Sequence, residues 1–197
     1  MKYLIAEFIS SLFHPAVFFL IMPFLIVYRK TESTLYALKW EVFSAVFVFI
    51  AIAIVLIGRK KKIFSDCDIS KKEERYEFYA FLLFFGILYV SIALFLKGIF
   101  FPMSFISLGI IVGIVIFDVV NRYVKASNHI AVSSAFAATI GILYGLEFFL
   151  VALWIVPLNA WARLYLKKHT RQEVFTGGML GVVITLLTFF AGEYIYR

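Results

Sequence analysis

The sequence predicts an all-α, polytopic transmembrane helical bundle of six to seven spans. Three observations predict it. The chain is 63% hydrophobic and only 16% charged over 197 residues, where soluble domains run at roughly 45–50% apolar and about 25% charged. Its apolar residues form stretches near the ~20 residues that cross a hydrocarbon core. Short polar loops separate them, and no Ser- or Pro-rich linker or internal repeat divides the chain. Residues 1–197 therefore read as a single integral-membrane domain. The one cysteine, Cys67, excludes an intrachain disulfide and a cysteine-based zinc cluster.

Seven stretches qualify: 6–27, 37–57, 77–96, 103–121, 130–146, 148–166 and 174–195. The first is too long for a cleaved signal and reads as a retained span. Only Glu147 separates the fifth from the sixth, so six spans are the alternative. Three Gly pairs at i, i+4 fall inside spans: Gly109/Gly113, Gly141/Gly145 and Gly177/Gly181. Small residues at this spacing let helix backbones approach closely in lipid. Trp40, Trp154 and Trp161 read as interfacial anchors.

Alternating spans sort the loops onto two faces. Fourteen Lys and Arg fall on the face holding loops 58–76, 122–129 and 163–173, against five on the other (Arg29, Lys30, Lys39, Lys97, Arg197). The positive-inside rule places the richer face in the cytoplasm of a cell membrane. The formal charge of +7 then reflects loops at lipid headgroups rather than a nucleic-acid partner.

Three polar loops share that face. In "ARLYLKKHTRQE", Arg163, His169 and Glu173 follow R-x5-H-x3-E. If the last helix starts near Thr170, Glu173 sits one turn past His169. It can then fix the imidazole tautomer and free the other nitrogen as a nucleophile. Arg163 offers a planar fork of donors suited to phosphate oxygens. The plainer reading is a charged interfacial loop, which suits Lys167, Lys168 and Arg171. In "RYVKASNHIAV", Lys125, Ser127 and Asn128 precede His129 at a helix N-terminus. Such a start is an anion site, from which His129 can protonate a leaving oxygen; Ser127 or Asn128 can equally cap the helix. In "SDCDISKKEERYEF", Ser70 and Glu73 have capping-box spacing. A helix starting near Lys71 would put Lys72 and Arg75 on one face. Asp118 can pair with Arg122 at i, i+4.

Together the three loops resemble the type 2 phosphatidic acid phosphatase superfamily, the integral-membrane lipid phosphatases related to vanadium haloperoxidases. That family carries K-x6-R-P, P-S-G-H and S-R-x5-H-x3-D. Here the third is Ala162-Arg163, His169 and Glu173, with Ala for Ser and Glu for Asp. The second is Ala126-Ser127-Asn128-His129, with Asn for Gly. In the first, Arg75 precedes Tyr76 instead of Pro, and Asp68 stands where the Lys is expected, so Lys71 or Lys72 would have to supply the cation. The resemblance implies a core like that family's and hydrolysis of a lipid phosphate or isoprenoid diphosphate, with no metal or other cofactor. It implies His169 as nucleophile, Glu173 as its orienter and His129 as general acid. Arg163, Arg75, Lys72, Lys125, Ser127 and Asn128 would bind phosphate. His14 receives no role. The alternatives are a decayed site in a lipid-phosphate-binding protein, or a small transporter.

Overall fold

The structure, a computed structural model, describes residues 1–97 and 103–196; Arg197, included in the charge count, lies outside them. Among the described residues the chain is helical and has no strand. The helices are α1 (Lys2–Leu12), α2 (Pro15–Thr31), α3 (Thr34–Lys60), α4 (Glu74–Lys97), α5 (Met103–Asn121), α6 (Asn128–Tyr144), α7 (Leu146–Leu153), α8 (Ile155–Tyr165) and α9 (Arg171–Tyr196). Six stretches are long and apolar enough to cross a membrane: 2–31, 34–60, 74–96, 103–121, 146–165 and 171–195. The predicted fifth span, α6, is shorter at 17 residues, about 26 Å at 1.5 Å per residue.

Two predicted spans are broken. The first bends between α1 and α2, because Pro15 lacks an N–H and pushes the residue before it out of the helical region. His14 is extended there (φ −68°, ψ 141°), and its Nδ1 accepts the N–H of Ala16 as the cap of α2. The sixth breaks at Trp154, between α7 and α8.

The outer surface carries large exposed apolar side chains such as Phe49, Phe84, Phe95 and Phe190, as expected where lipid is the solvent. One core cluster gathers Ile26, Val27, Ala37, Trp40, Ala93 and Met103. Trp40 is thus 2% exposed, a core residue and not the predicted anchor; Trp154 is exposed. The Gly pairs are mostly close-approach sites. A Cβ on Gly177 would collide with the backbone of Ser127, and one on Gly181 with that of Ala131, so α9 lies directly on α6. A Cβ on Gly109 would collide with the side chain of Thr188 on α9. Gly145 is a correction. It sits outside both helices at φ 96°, with nothing near its missing Cβ. It makes the turn from α6 to α7, which is the break that Glu147 alone had marked in the sequence.

The three polar loops meet at one end of the bundle. Lys72 Nζ donates to the Arg122 carbonyl (2.6 Å), Arg75 Nη1 to that of Ala126 (2.8 Å) and Lys125 Nζ to that of Lys168 (3.2 Å). The Ser127 N–H donates to the Glu173 carbonyl (3.0 Å). Asp118 pairs with Arg122 at 3.0 Å, as expected.

Candidate active site

α9 begins with a capping box. The Glu173 N–H donates to Thr170 Oγ1 (3.3 Å), and Glu173 Oε2 accepts the Thr170 N–H (3.1 Å). This reciprocal pair satisfies two donors at the helix start. It also fixes the Glu173 side chain where the same oxygen accepts from His169 Nδ1 at 2.9 Å. An ionised carboxylate only accepts, so Nδ1 carries the proton and Nε2 keeps its lone pair. Burial, followed by the charges of Arg163, Arg75 and Lys125, holds the His169 pKa down, to about 2. This favours the neutral imidazole at ordinary pH.

Arg163, near the end of α8, is 2% exposed. Its Nη1 donates to Ser10 Oγ of α1 (3.0 Å) and to Asp68 Oδ2 (2.9 Å). Asp68 joins the site from the loop between α3 and α4. Its other oxygen, Oδ1, lies 3.6 Å from His129 Nε2, and Oδ2 lies 3.6 Å from Lys168 Nζ. Those two distances exceed a direct hydrogen bond; Lys168 acts through its charge, and His129 does so only when its ring is protonated. Burial alone would raise the Asp68 carboxyl. The neighbouring His129 and Arg163 outweigh it and hold the group well below the usual carboxylate range.

His129 is buried at the start of α6, with no partner for Nδ1 among the described residues. The His14 ring meets it edge-on, centroids 5.0 Å apart. Asn159 of α8, fully buried, braces this corner: Nδ2 reaches the carbonyls of Phe13 (3.1 Å) and His129 (3.4 Å) and Ser133 Oγ (2.8 Å). Sequence reasoning gave no role to His14, Asn159, Ser10 or Lys168. The signal for Asn159 was present, as a lone amide in an apolar stretch. His14 and Ser10 meet the site only through residues far away in sequence, His14 through Asp68 and His129 and Ser10 through Arg163.

The predicted phosphate ligands divide. Ser127 caps α6 by position but makes no side-chain cap bond, and its buried Oγ has no partner among the described residues. Lys125 Nζ lies 3.8 Å from Glu173 Oε2. Both remain at the site. Arg75 is buried and close enough to depress His169. Its hydrogen bonds tie loops together, through Ile69 O (3.1 Å), Asn121 Oδ1 (3.2 Å) and Ala126 O. Asn128 Oδ1 instead accepts from Tyr79 OH (3.0 Å). Lys72, bound to the Arg122 carbonyl, and Lys71, 3.5 Å from Glu74, both sit away from the histidines' contacts. The expected capping box at Ser70 and Glu73 does not form: α4 begins at Glu74, and Ser70 Oγ has no partner among the described residues. Glu74 Oε2 instead accepts from the Ser65 N–H (2.8 Å) and hydroxyl (3.0 Å). That leaves Lys72 outside the helix that was to present it beside Arg75.

One metal-compatible trio exists among the described residues. Donor atoms of His14, Asp68 and His129 lie within 4.8 Å of one another. Two imidazoles and a carboxylate are ordinary zinc donors. Here, however, the carboxylate is shared with Arg163 and Lys168, so an added cation would face two fixed positive charges. The cluster as a whole suits an anion. No family model, no curated protein and no solved structure matches the chain.

Proposed function

We propose that this chain is a membrane phosphatase that hydrolyses a lipid phosphate or isoprenoid diphosphate through a phosphohistidine, without a metal. The observation that carries this reading is the His169–Glu173 pair, with a proton on Nδ1 and a ring kept neutral by burial and by the charges of buried Arg163 and part-buried Lys125. His169 Nε2 attacks phosphorus, and the bond to the leaving oxygen breaks. His129 delivers a proton to that oxygen. Water then attacks phosphorus and gives up a proton to His129, the P–N bond breaks, and both histidines return to their starting state. Charge spreads over three phosphoryl oxygens in such transfers, and positioned cations stabilise it. Arg163, Lys125 and the α6 N-terminus with Ser127 supply that stabilisation.

The lipid side of the reading is supported by an open apolar groove of about 750 Å³ between α6, α7, α8 and α9. It starts at Ile130 and Val174, each one residue beyond a proposed catalytic group, and continues past Ala137, Gly178 and Met179. A hydrocarbon tail lying there would leave its phosphate at the polar end.

The test is phosphate release by the purified protein in detergent with EDTA, offering farnesyl or undecaprenyl diphosphate and phosphatidic acid. Release is expected from the wild type and to fall at least about 10³-fold in His169→Ala, as when a nucleophile is removed. A second reading, a lipid-phosphate-binding protein without turnover, is favoured by the Asp68–Arg163 ion pair. A folded wild type that releases no phosphate from any of these lipids would decide for it.

A further inference from the structure

The groups that would hold a phosphate are already engaged by a carboxylate of the chain itself. Asp68 Oδ2 takes the Arg163 guanidinium at 2.9 Å and stands 3.6 Å from Lys168 Nζ, while Oδ1 stands 3.6 Å from His129 Nε2. One oxygen thus sits on the phosphate-binding cation, and the other sits where the proton donor would meet a leaving oxygen.

The loop that carries Asp68 is built to present it. Asp66 Oδ1 accepts the N–H groups of Asp68 (2.8 Å) and Ser70 (3.2 Å), folding the segment into a tight turn. Ile69 is buried in the left-handed region at φ 49°, which a β-branched residue adopts only under strain. Its carbonyl is clamped by Arg75 Nε. On the other side of Asp68, Cys67 is exposed, and the Asp68 side chain itself keeps partial access to solvent, which puts the carboxylate at an edge of the site. A strained backbone, a solvent-edge position and a reversible ion pair suit displacement.

We propose that Asp68 is an internal anion that closes the phosphate site in the resting protein, and that phosphate binds by displacing it from Arg163. This rests on the phosphatase reading only for the identity of the displacing ligand. Asp68 is a competitor of substrate, and its removal opens the site. The His14–Asp68–His129 trio is then a consequence of where the carboxylate rests, since Arg163 and Lys168 compete for it against any cation.

The experiment measures inorganic phosphate binding to the full chain in detergent by calorimetry. Wild type, Asp68→Asn and Asp68→Glu are compared, each shown monodisperse by gel filtration. Asp68→Asn is expected to bind phosphate at least about tenfold tighter, because an amide cannot hold the ion pair. Asp68→Glu keeps the competing charge and is expected to remain as weak as the wild type. Equal or weaker binding by a folded Asp68→Asn would overturn the proposal. So would stoichiometric Zn²⁺ binding that disappears in both His14→Ala and Asp68→Asn, since the carboxylate would then serve a cation. The two readings fail separately: lipid turnover without tightening removes the competitor role alone, and tightening without turnover removes catalysis alone.

Discussion

Glu173 Oε2 serves three neighbours at once: the Thr170 N–H, His169 Nδ1 and, at 3.8 Å, Lys125 Nζ. A glutamine there keeps the size and loses the charge, so the imidazole is no longer held in one tautomer. Glu173→Gln is expected to lower kcat about 10²- to 10⁴-fold with the lipid substrate, read against an unchanged gel-filtration profile. His169 also sets a pH dependence of stability. Its unfolded value is about 6.5, and the fold lowers it to about 2. Between those limits the unfolded chain binds more protons, so stability falls as pH drops below about 6.5. Asp68, held low, adds stability above its ordinary value of about 4 that is lost as pH falls further. A melting series in detergent from pH 8 to 5 is expected to show a decline in the wild type that is smaller in His169→Gln. The His169–Glu173 pair was legible in the sequence because it lies within one helical turn. The site's other half was not: Asp68 looks like an ordinary loop acid until Arg163, 95 residues away, is placed against it.

At the scale of elements, the site depends on how closely α9 lies on α6. The Gly177 backbone touches Ser127, whose N–H also bonds the Glu173 carbonyl. A methyl group at 177 would push apart the helix starts that carry His129 and the His169–Glu173 pair. Gly177→Ala is expected to cost about 1–3 kcal/mol, as overpacking does, and to reduce kcat as well. Gly178 is the control. A Cβ there meets Ile130 Cγ2 and Ser134 Oγ at 3.5 Å, an ordinary contact, and Gly178→Ala is expected to stay within about 0.5 kcal/mol. Thermal melting and phosphate release on the same preparations separate the two. The G-x3-G spacing announced this close approach correctly for α9 and wrongly for Gly145. A glycine that packs and a glycine that turns the chain look alike in sequence, because the backbone angle that separates them depends on how the next helix packs. Both breaks had a sequence signal: Pro15 for the bend at His14, and Pro157 for the break at Trp154, since its ring crowds the Leu153 carbonyl four residues earlier and it has no N–H to bond it.

At the scale of the whole molecule, the fold gathers loops 61–73, 122–127 and 166–170 at one end. That gathering requires α6 to run antiparallel to both α5 and the α7–α8 stretch, so the short α6 carries the chain from one end of the bundle to the other. The charge distribution gives an expectation for the sidedness of the site. Fourteen of the nineteen Lys and Arg lie toward this end in sequence. Setting aside Lys72, Arg75, Lys125 and Arg163 leaves ten against five. The exposed run Arg59–Lys62 sits where anionic headgroups would meet it, and a cytoplasmic site is expected. The chain provides its own probe, because its one cysteine, Cys67, is exposed in the loop that also delivers Asp68. In intact cells expressing the protein, a membrane-impermeant maleimide is expected to leave Cys67 unlabelled, and permeabilised cells are expected to label fully. Labelling in intact cells would place Asp68, His129 and His169 outside. Lys72, Arg75, Lys125 and Arg163 would then not be the only cations held against the positive-inside bias, and the basic run at 59–62 would need a partner on that face.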